Sequence, residues 1–299
     1  MGKDGKPEFR PFEIDQHVLV SEFVAETFTI KVAQPISRAD SSERFPVVYA
    51  VDSDHFFGGL SNLAAMMQGY GETPRFVLVG IGYQNSGAAS VLRMRDLFSR
   101  RMQAVLGSYI SQVAESEFVT GLDDVKRVTQ ATDAGHFLRF VRDELMPWVQ
   151  KHYPVKPDDN TFWGYSAGGT FGLFTLFNAP RMFNRYVLGS PGVSYKGENF
   201  GTELVDQFQK SGQTLNARVF LSVGELEDHH PAAANFDLVG GYVQLTKLLR
   251  NSEIPGLHLT TRVFPGETHA TAWTSSFTHG LKSVLGPAEK VPFWPDSLR

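Results

Sequence analysis

The chain has 299 residues, 42 % of them hydrophobic and 20 % charged, with a formal net charge of −4. That composition belongs to an ordinary globular protein, and the mildly negative balance, without a long run of one sign, argues against a nucleic-acid binder or a basic membrane-surface protein. There is no cysteine, which removes disulfides, thiolate metal sites and a cysteine nucleophile together. The first stretch, MGKDGKPEFRPFEIDQ, is polar and lacks the apolar run of a signal peptide, and no window is apolar enough to span a bilayer. The expectation is a cytoplasmic protein without a membrane segment.

In chain order, His17 to Ala33 is rich in Val, Phe, Thr and Ile and predicts two strands with a break near Ala25-Glu26. A polar loop follows, and then short continuous apolar runs: Phe45 to Val51, Arg75 to Ile81, Thr161 to Trp163, Arg185 to Leu188, Arg218 to Val223 and Leu257 to Phe264. Runs that do not alternate predict strands buried on both faces. Between them lie helical patterns. Phe137, Val141, Leu145, Trp148 and Val149 share one face, with Pro147 expected to kink that helix. Phe171, Phe174 and Phe177 predict a second helix, Tyr242, Leu245 and Leu249 a third, and Trp273, Phe277, Leu281 and Val284 a last one. Strands alternating with helices predict an α/β fold: a mostly parallel sheet with helices on both faces, in one domain with its core at about residues 17–286. The segment Leu97 to Ala134 breaks the rhythm and reads either as surface helices or as a lid or pocket wall.

Gly164-Tyr165-Ser166-Ala167-Gly168 is a G-x-S-x-G sequence between an apolar strand and an apolar helix. That is the setting of a nucleophile elbow, in which a serine is held in a strained turn that side chains on its neighbours would obstruct. Ser166 is therefore the candidate nucleophile, and the backbone N–H of Ala167 half of an oxyanion hole. The chain order of such hydrolases is serine, acid, histidine. Of nine histidines, His17, His55, His136 and His152 precede the serine, His258 falls in a strand and His279 in a helix. His269 sits in the loop after the final strand, where the base belongs. The acid is expected after the Arg218–Val223 strand, in Gly224-Glu225-Leu226-Glu227-Asp228; Glu227 is preferred, with Glu225 and Asp228 as alternatives. The adjacent His229-His230 reads as surface loop, and no metal site or cofactor is expected. The second oxyanion donor is expected from the loop after the third strand, at the backbone N–H of Ser53 or its neighbour Asp54. Asp52 and Asp54 are expected to cap the following helix, the alternative being contact with a polar group of the substrate.

With these pieces in place, the sequence resembles the esterase D and enterochelin-esterase-like group of α/β-hydrolases. The resemblance rests on Phe45 through Asp52, Arg93-Met94-Arg95-Asp96-Leu97, Phe137 through Pro147, Gly164 through Gly169, Ser190-Pro191, Gly224 through Glu227 and Gly266 through His269, in order along the chain. It implies an α/β-hydrolase fold and a cofactor-free carboxylic-ester hydrolase working through an acyl-enzyme on Ser166. Val51-Asp52-Ser53 stands where relatives often carry Leu-Asp-Gly, and Ala167 replaces the Met usual after the nucleophile of S-formylglutathione hydrolases. The first expectation for substrate is a small or aryl ester, and the second a siderophore-type lactone. A catalytically inactive hydrolase fold used for binding is the alternative of a different class, and acyl transfer to an alcohol would use the same residues.

Overall fold

The computed structural model describes residues 12–36, 42–117, 119–120, 132–229 and 235–289. The chain opens with an antiparallel hairpin, β1 (Phe12–Ser21) and β2 (Glu26–Pro35). Ala25 turns it at a positive φ of 54°, and Ser21 Oγ accepts the Val24 N–H at 3.1 Å. The strands β3 (Phe45–Ala50), β4 (Val77–Tyr83), β5 (Val155–Tyr165), β6 (Arg185–Gly189), β9 (Ala217–Gly224) and β10 (Leu257–Phe264) complete an eight-stranded sheet of order β1-β2-β4-β3-β5-β6-β9-β10. Every pairing from β4 onward is parallel. Between β6 and β9, β7 (Ser194–Tyr195) and β8 (Glu198–Asn199) form a small ribbon of their own.

Buried runs such as Phe45–Ala50 and Val77–Tyr83 are covered throughout, as continuous apolar strands in a parallel sheet require. The run Leu257–Phe264 departs from that expectation. As β10 it is an edge strand, its residues are mostly half-buried or exposed, and only Phe264 is buried. Thr260 and Arg262 face solvent there, so an apolar-looking run can be a sheet margin.

One face of the sheet is covered by α1 (Ser53–Gly69) and α9 (Ala272–Leu285), which bury Leu60, Trp163, Val187, Phe220 and Phe277 together. The other face packs against α2 (Ala89–Leu97), α5 (residues 134–152), α6 (Ala167–Asn178) and α8 (Leu238–Asn251), with α7 (Phe200–Ser211) against α6 and α8. The adjacent pair Phe162 and Trp163 divides between these two cores, as the two-residue period of a strand demands. Helix α5 runs as Ala134–Arg139, a π-helical stretch Phe140–Leu145 and Met146–His152. The π-helical stretch ends two residues before Pro147, which cannot donate an N–H. Of the Leu97–Ala134 segment, the described part forms α3 (Arg100–Val105) and α4 (Gly107–Ala114); 118 and 121–131 lie outside the described residues. Among the described residues no helix is long and apolar enough to cross a membrane.

Candidate active site

The strand β5 ends at Tyr165 and α6 begins at Ala167, so Ser166 alone makes the turn. Its φ of 57° and ψ of −120° are sparsely populated for a residue with a side chain. The turn is close enough that a Cβ on Gly164 would lie 2.2 Å from the Gly168 carbonyl oxygen. Ser166 N–H donates to the Gly189 carbonyl at the end of β6, at 2.9 Å, which fixes the strained residue against the neighbouring strand.

His269 occupies the loop between β10 and α9. Its Nδ1 lies 2.7 Å from Glu227 Oε2, and with that nitrogen protonated toward the carboxylate, Nε2 is left as the acceptor. Glu227 is completely buried. The Gly224 N–H donates to its Oε1 at 2.7 Å, the Ser190 hydroxyl donates to the same oxygen, and the Tyr165 hydroxyl lies 3.3 Å away. A buried carboxylate without water needs such donors. The two alternatives to Glu227 are engaged elsewhere: Asp228 accepts the N–H groups of Leu238 and Val239 at 2.7 and 3.0 Å, and Glu225 accepts the Gly266 N–H at 2.9 Å.

Ser166 and His269 line two adjoining cavities. One, of about 160 Å³, is bounded by Met94, Phe98, Ala167, Thr170 and Phe236. The other, wider, of about 380 Å³, is bounded by His55, Phe56, Tyr165, Val113 and Trp273. Arg93, Met94 and Tyr109 border both. Tyr109 and Val113 come from α4, so part of the Leu97–Ala134 segment is pocket wall. A larger cleft of about 750 Å³ lies at the amino ends of β5 and β6, near Pro157 and Asn184, and includes none of these side chains; size does not mark the site here.

Ala167 borders the smaller cavity. Ser53, the first residue of α1, is buried, and its side chain packs against Gly80 and Gly82 of β4. Ser53 lines neither of the two cavities at Ser166. The expected capping by Asp52 and Asp54 is not what the structure contains. Asp52 stands at the N-cap with φ 58° but its side chain makes no cap hydrogen bond; both carboxylate oxygens accept from Arg93, from Nε and one Nη, each at 2.8 Å. Asp54 accepts the Tyr83 N–H at 2.8 Å. Burial disfavours the Arg93 charge, but the Asp52 carboxylate outweighs that and holds the guanidinium above its ordinary pKa. A buried, bidentate partner thus replaces the cap.

Sequence reasoning also passed over Tyr165, Ser190, Arg93 and His55 as site groups. The first two touch Glu227 and the last two line the cavity. Ser190 lies in the Ser190-Pro191 pair that shares in the family resemblance, but nothing in the linear sequence joins it to a residue 37 positions on. His230 lies outside the described residues, while His229 ends the short turn Glu227–His229.

The family described as "Putative esterase" matches residues 21–284. The chain belongs to this esterase family. The esterase is similar to the ferri-bacillibactin esterase BesA of Bacillus subtilis (strain 168), 27 % identical over 270 residues that cover 87 % of this chain and 86 % of BesA. Among solved structures it is similar to the siderophore hydrolase EstB from Aspergillus nidulans, with a TM-score of 0.71 at 19 % identity over 94 % of this chain and 98 % of that one. The BES protein from Bacillus cereus follows at a TM-score of 0.69 and 21 % identity, covering 93 % and 98 %. At these identities the structural likenesses establish the fold alone, a mostly parallel α/β sheet with helices on both faces.

Proposed function

We propose that this esterase hydrolyses carboxylic esters through an acyl-enzyme on Ser166. The observation that carries the reading is the 2.7 Å contact of Glu227 with His269 Nδ1, in a chain whose elbow serine opens onto the same cavities as that histidine. Ser166 Oγ adds to the ester carbonyl as its proton passes to His269 Nε2. The oxyanion is received by the N–H of Ala167 and by an N–H at the start of α1, at Ser53. Collapse breaks the ester bond and returns the proton to the leaving alcohol. Water, activated by His269, then releases the acid. Glu227 holds the imidazole in the required tautomer and stabilises the imidazolium.

The smaller cavity, walled by Met94, Phe98 and Phe236, takes a short acyl group, and the wider aromatic one takes the alcohol. A small or aryl ester fits this division. A siderophore-type ester is the second reading, favoured by the likeness to BesA over most of both chains. An inactive binding module has no need of a histidine and a buried carboxylate arranged at an elbow serine. Hydrolysis of p-nitrophenyl acetate, butyrate and octanoate by wild type and Ser166→Ala tests the proposal. Wild-type turnover that falls by about 10⁴-fold or more in the variant is expected; equal rates in both would refute it.

A further inference from the structure

Among the described residues, Glu227 Oε1 is reached by three donors while Oε2 pairs with the imidazole. The Gly224 N–H is fixed by the backbone; the other two are the hydroxyls of Ser190 and Tyr165. The single Tyr165 hydroxyl proton is shared between Glu227 Oε1 and the nearer carbonyl oxygen of His269 itself, at 2.9 Å. Its ring lies beside the imidazole with centroids 5.0 Å apart and planes 35° from parallel. Burial first, and then the neighbouring Glu227 charge, push the Tyr165 pKa well above its ordinary value, so the hydroxyl keeps the proton it donates. Tyr165 is also the residue directly before Ser166, so one short piece of chain reaches nucleophile, acid and base.

Ser190 closes the arrangement from the other side. It holds a positive φ of 47°, uncommon for a non-glycine residue, and its N–H donates to the Ser222 carbonyl at 2.7 Å. The residue before it, Gly189, accepts the Ser166 N–H at 2.9 Å. The end of β6 therefore grips the nucleophile through its main chain and the acid through a side chain. A carboxylate anchored at one oxygen cannot rotate, and only the other remains for the imidazole.

We propose that Tyr165 and Ser190 are positioning residues whose two hydroxyls clamp Glu227 and the His269 loop so that the imidazole is aimed at Ser166. This rests on the hydrolytic reading above. Neither residue reaches the reacting atoms; each acts through the acid or the base.

The test is a pair of double-mutant cycles on hydrolysis of p-nitrophenyl acetate, with kcat and KM measured separately. Tyr165→Phe lowers kcat about tenfold with KM within about twofold, on the scale of one hydrogen bond to a charged or catalytic group. In the His269→Ala background, where residual catalysis of about 10³ over water is still measurable, the same change has less than about a twofold effect. Ser190→Ala behaves alike toward Glu227→Ala. His269 is partly exposed, so the first cycle stands even where loss of buried Glu227 unfolds the chain. Equal losses from Tyr165→Phe with and without His269 would overturn the clamp. If His269→Ala alone leaves kcat unchanged, the hydrolytic reading fails instead, and the two failures are told apart.

Discussion

Three carboxylates crowd the turn after β9, and at the scale of single residues their partners separate their roles. Glu227→Ala removes the only one bonded to the imidazole, and kcat is expected to fall by about 10²–10⁴-fold. Glu225→Ala and Asp228→Ala are expected to leave kcat within about twofold. Asp228→Ala has its cost in stability, about 1 kcal/mol, because it supplies the N-terminal acceptor that Asp237, at the N-cap of α8, does not. Steady-state kinetics and urea midpoints on the three variants check the assignment; a loss of activity in Asp228→Ala larger than in Glu227→Ala would reverse it. Arg93 and Asp52 were hidden in the sequence for a related reason. Each has an ordinary solvated explanation until the fold brings them to 2.8 Å across 41 positions.

Among the elements, α5 begins with a cap that does what a sequence rule expects. Asp133 accepts the N–H groups of Gly135 and His136 at 3.0 and 3.2 Å and pairs with Arg100 at 3.2 Å and the His136 ring at 2.8 Å. Partial burial alone would raise its pKa, but the imidazole, the backbone donors and Arg100 together hold it below the ordinary carboxylate value. A depressed acid stabilises the fold above the unfolded-state pKa, near 3.9, and loses that contribution as pH falls through the folded value. Asp133→Ala is expected to cost about 1 kcal/mol near neutral pH and to show a shallower loss of stability below about pH 4 than wild type. Urea titrations at several pH values measure it; parallel curves for the two proteins would contradict the account.

The central strands β3, β4, β5, β6 and β9 were legible because their apolar runs follow from two-sided burial, and the helices α5, α6, α8 and α9 because one apolar face repeats at helical spacing. The helices α2 and α7 were not, and α1 was expected only as the helix following Asp52 and Asp54, without an apolar periodicity of its own. Two glycines interrupt α1, and a Cβ on one of them, Gly59, would lie 2.6 Å from the Trp273 ring, so close packing overrode propensity. The buried face of α2 carries Arg95 and Asp96, paired at 2.7 Å, which erases the apolar signal. The order serine, acid, histidine was readable because it follows the order of strands across the sheet. The contacts that hold those groups join separate strand ends, and those are written only in three dimensions.

For the whole molecule, two cavities of unequal size meet at Ser166, and their shapes predict a substrate profile. The smaller one, of about 160 Å³, favours acetyl and butyryl over octanoyl esters in kcat/KM, by about tenfold for a misfit of a few methylenes. Phe98→Ala, which opens that wall, is expected to move the preference toward longer chains. An unchanged profile would place the acyl group in the wider, aromatic cavity instead.

The central claim is that Ser166 is a nucleophile activated by His269, and covalent labelling tests it without any assumption about substrate. Wild type, Ser166→Ala and His269→Ala are incubated with a fluorophosphonate, and the adduct is located by peptide mass. The account predicts one adduct per chain on Ser166, none in Ser166→Ala, and a labelling rate in His269→Ala lower by about 10³-fold or more. An adduct on another residue, or rapid labelling that persists without Ser166, would contradict it.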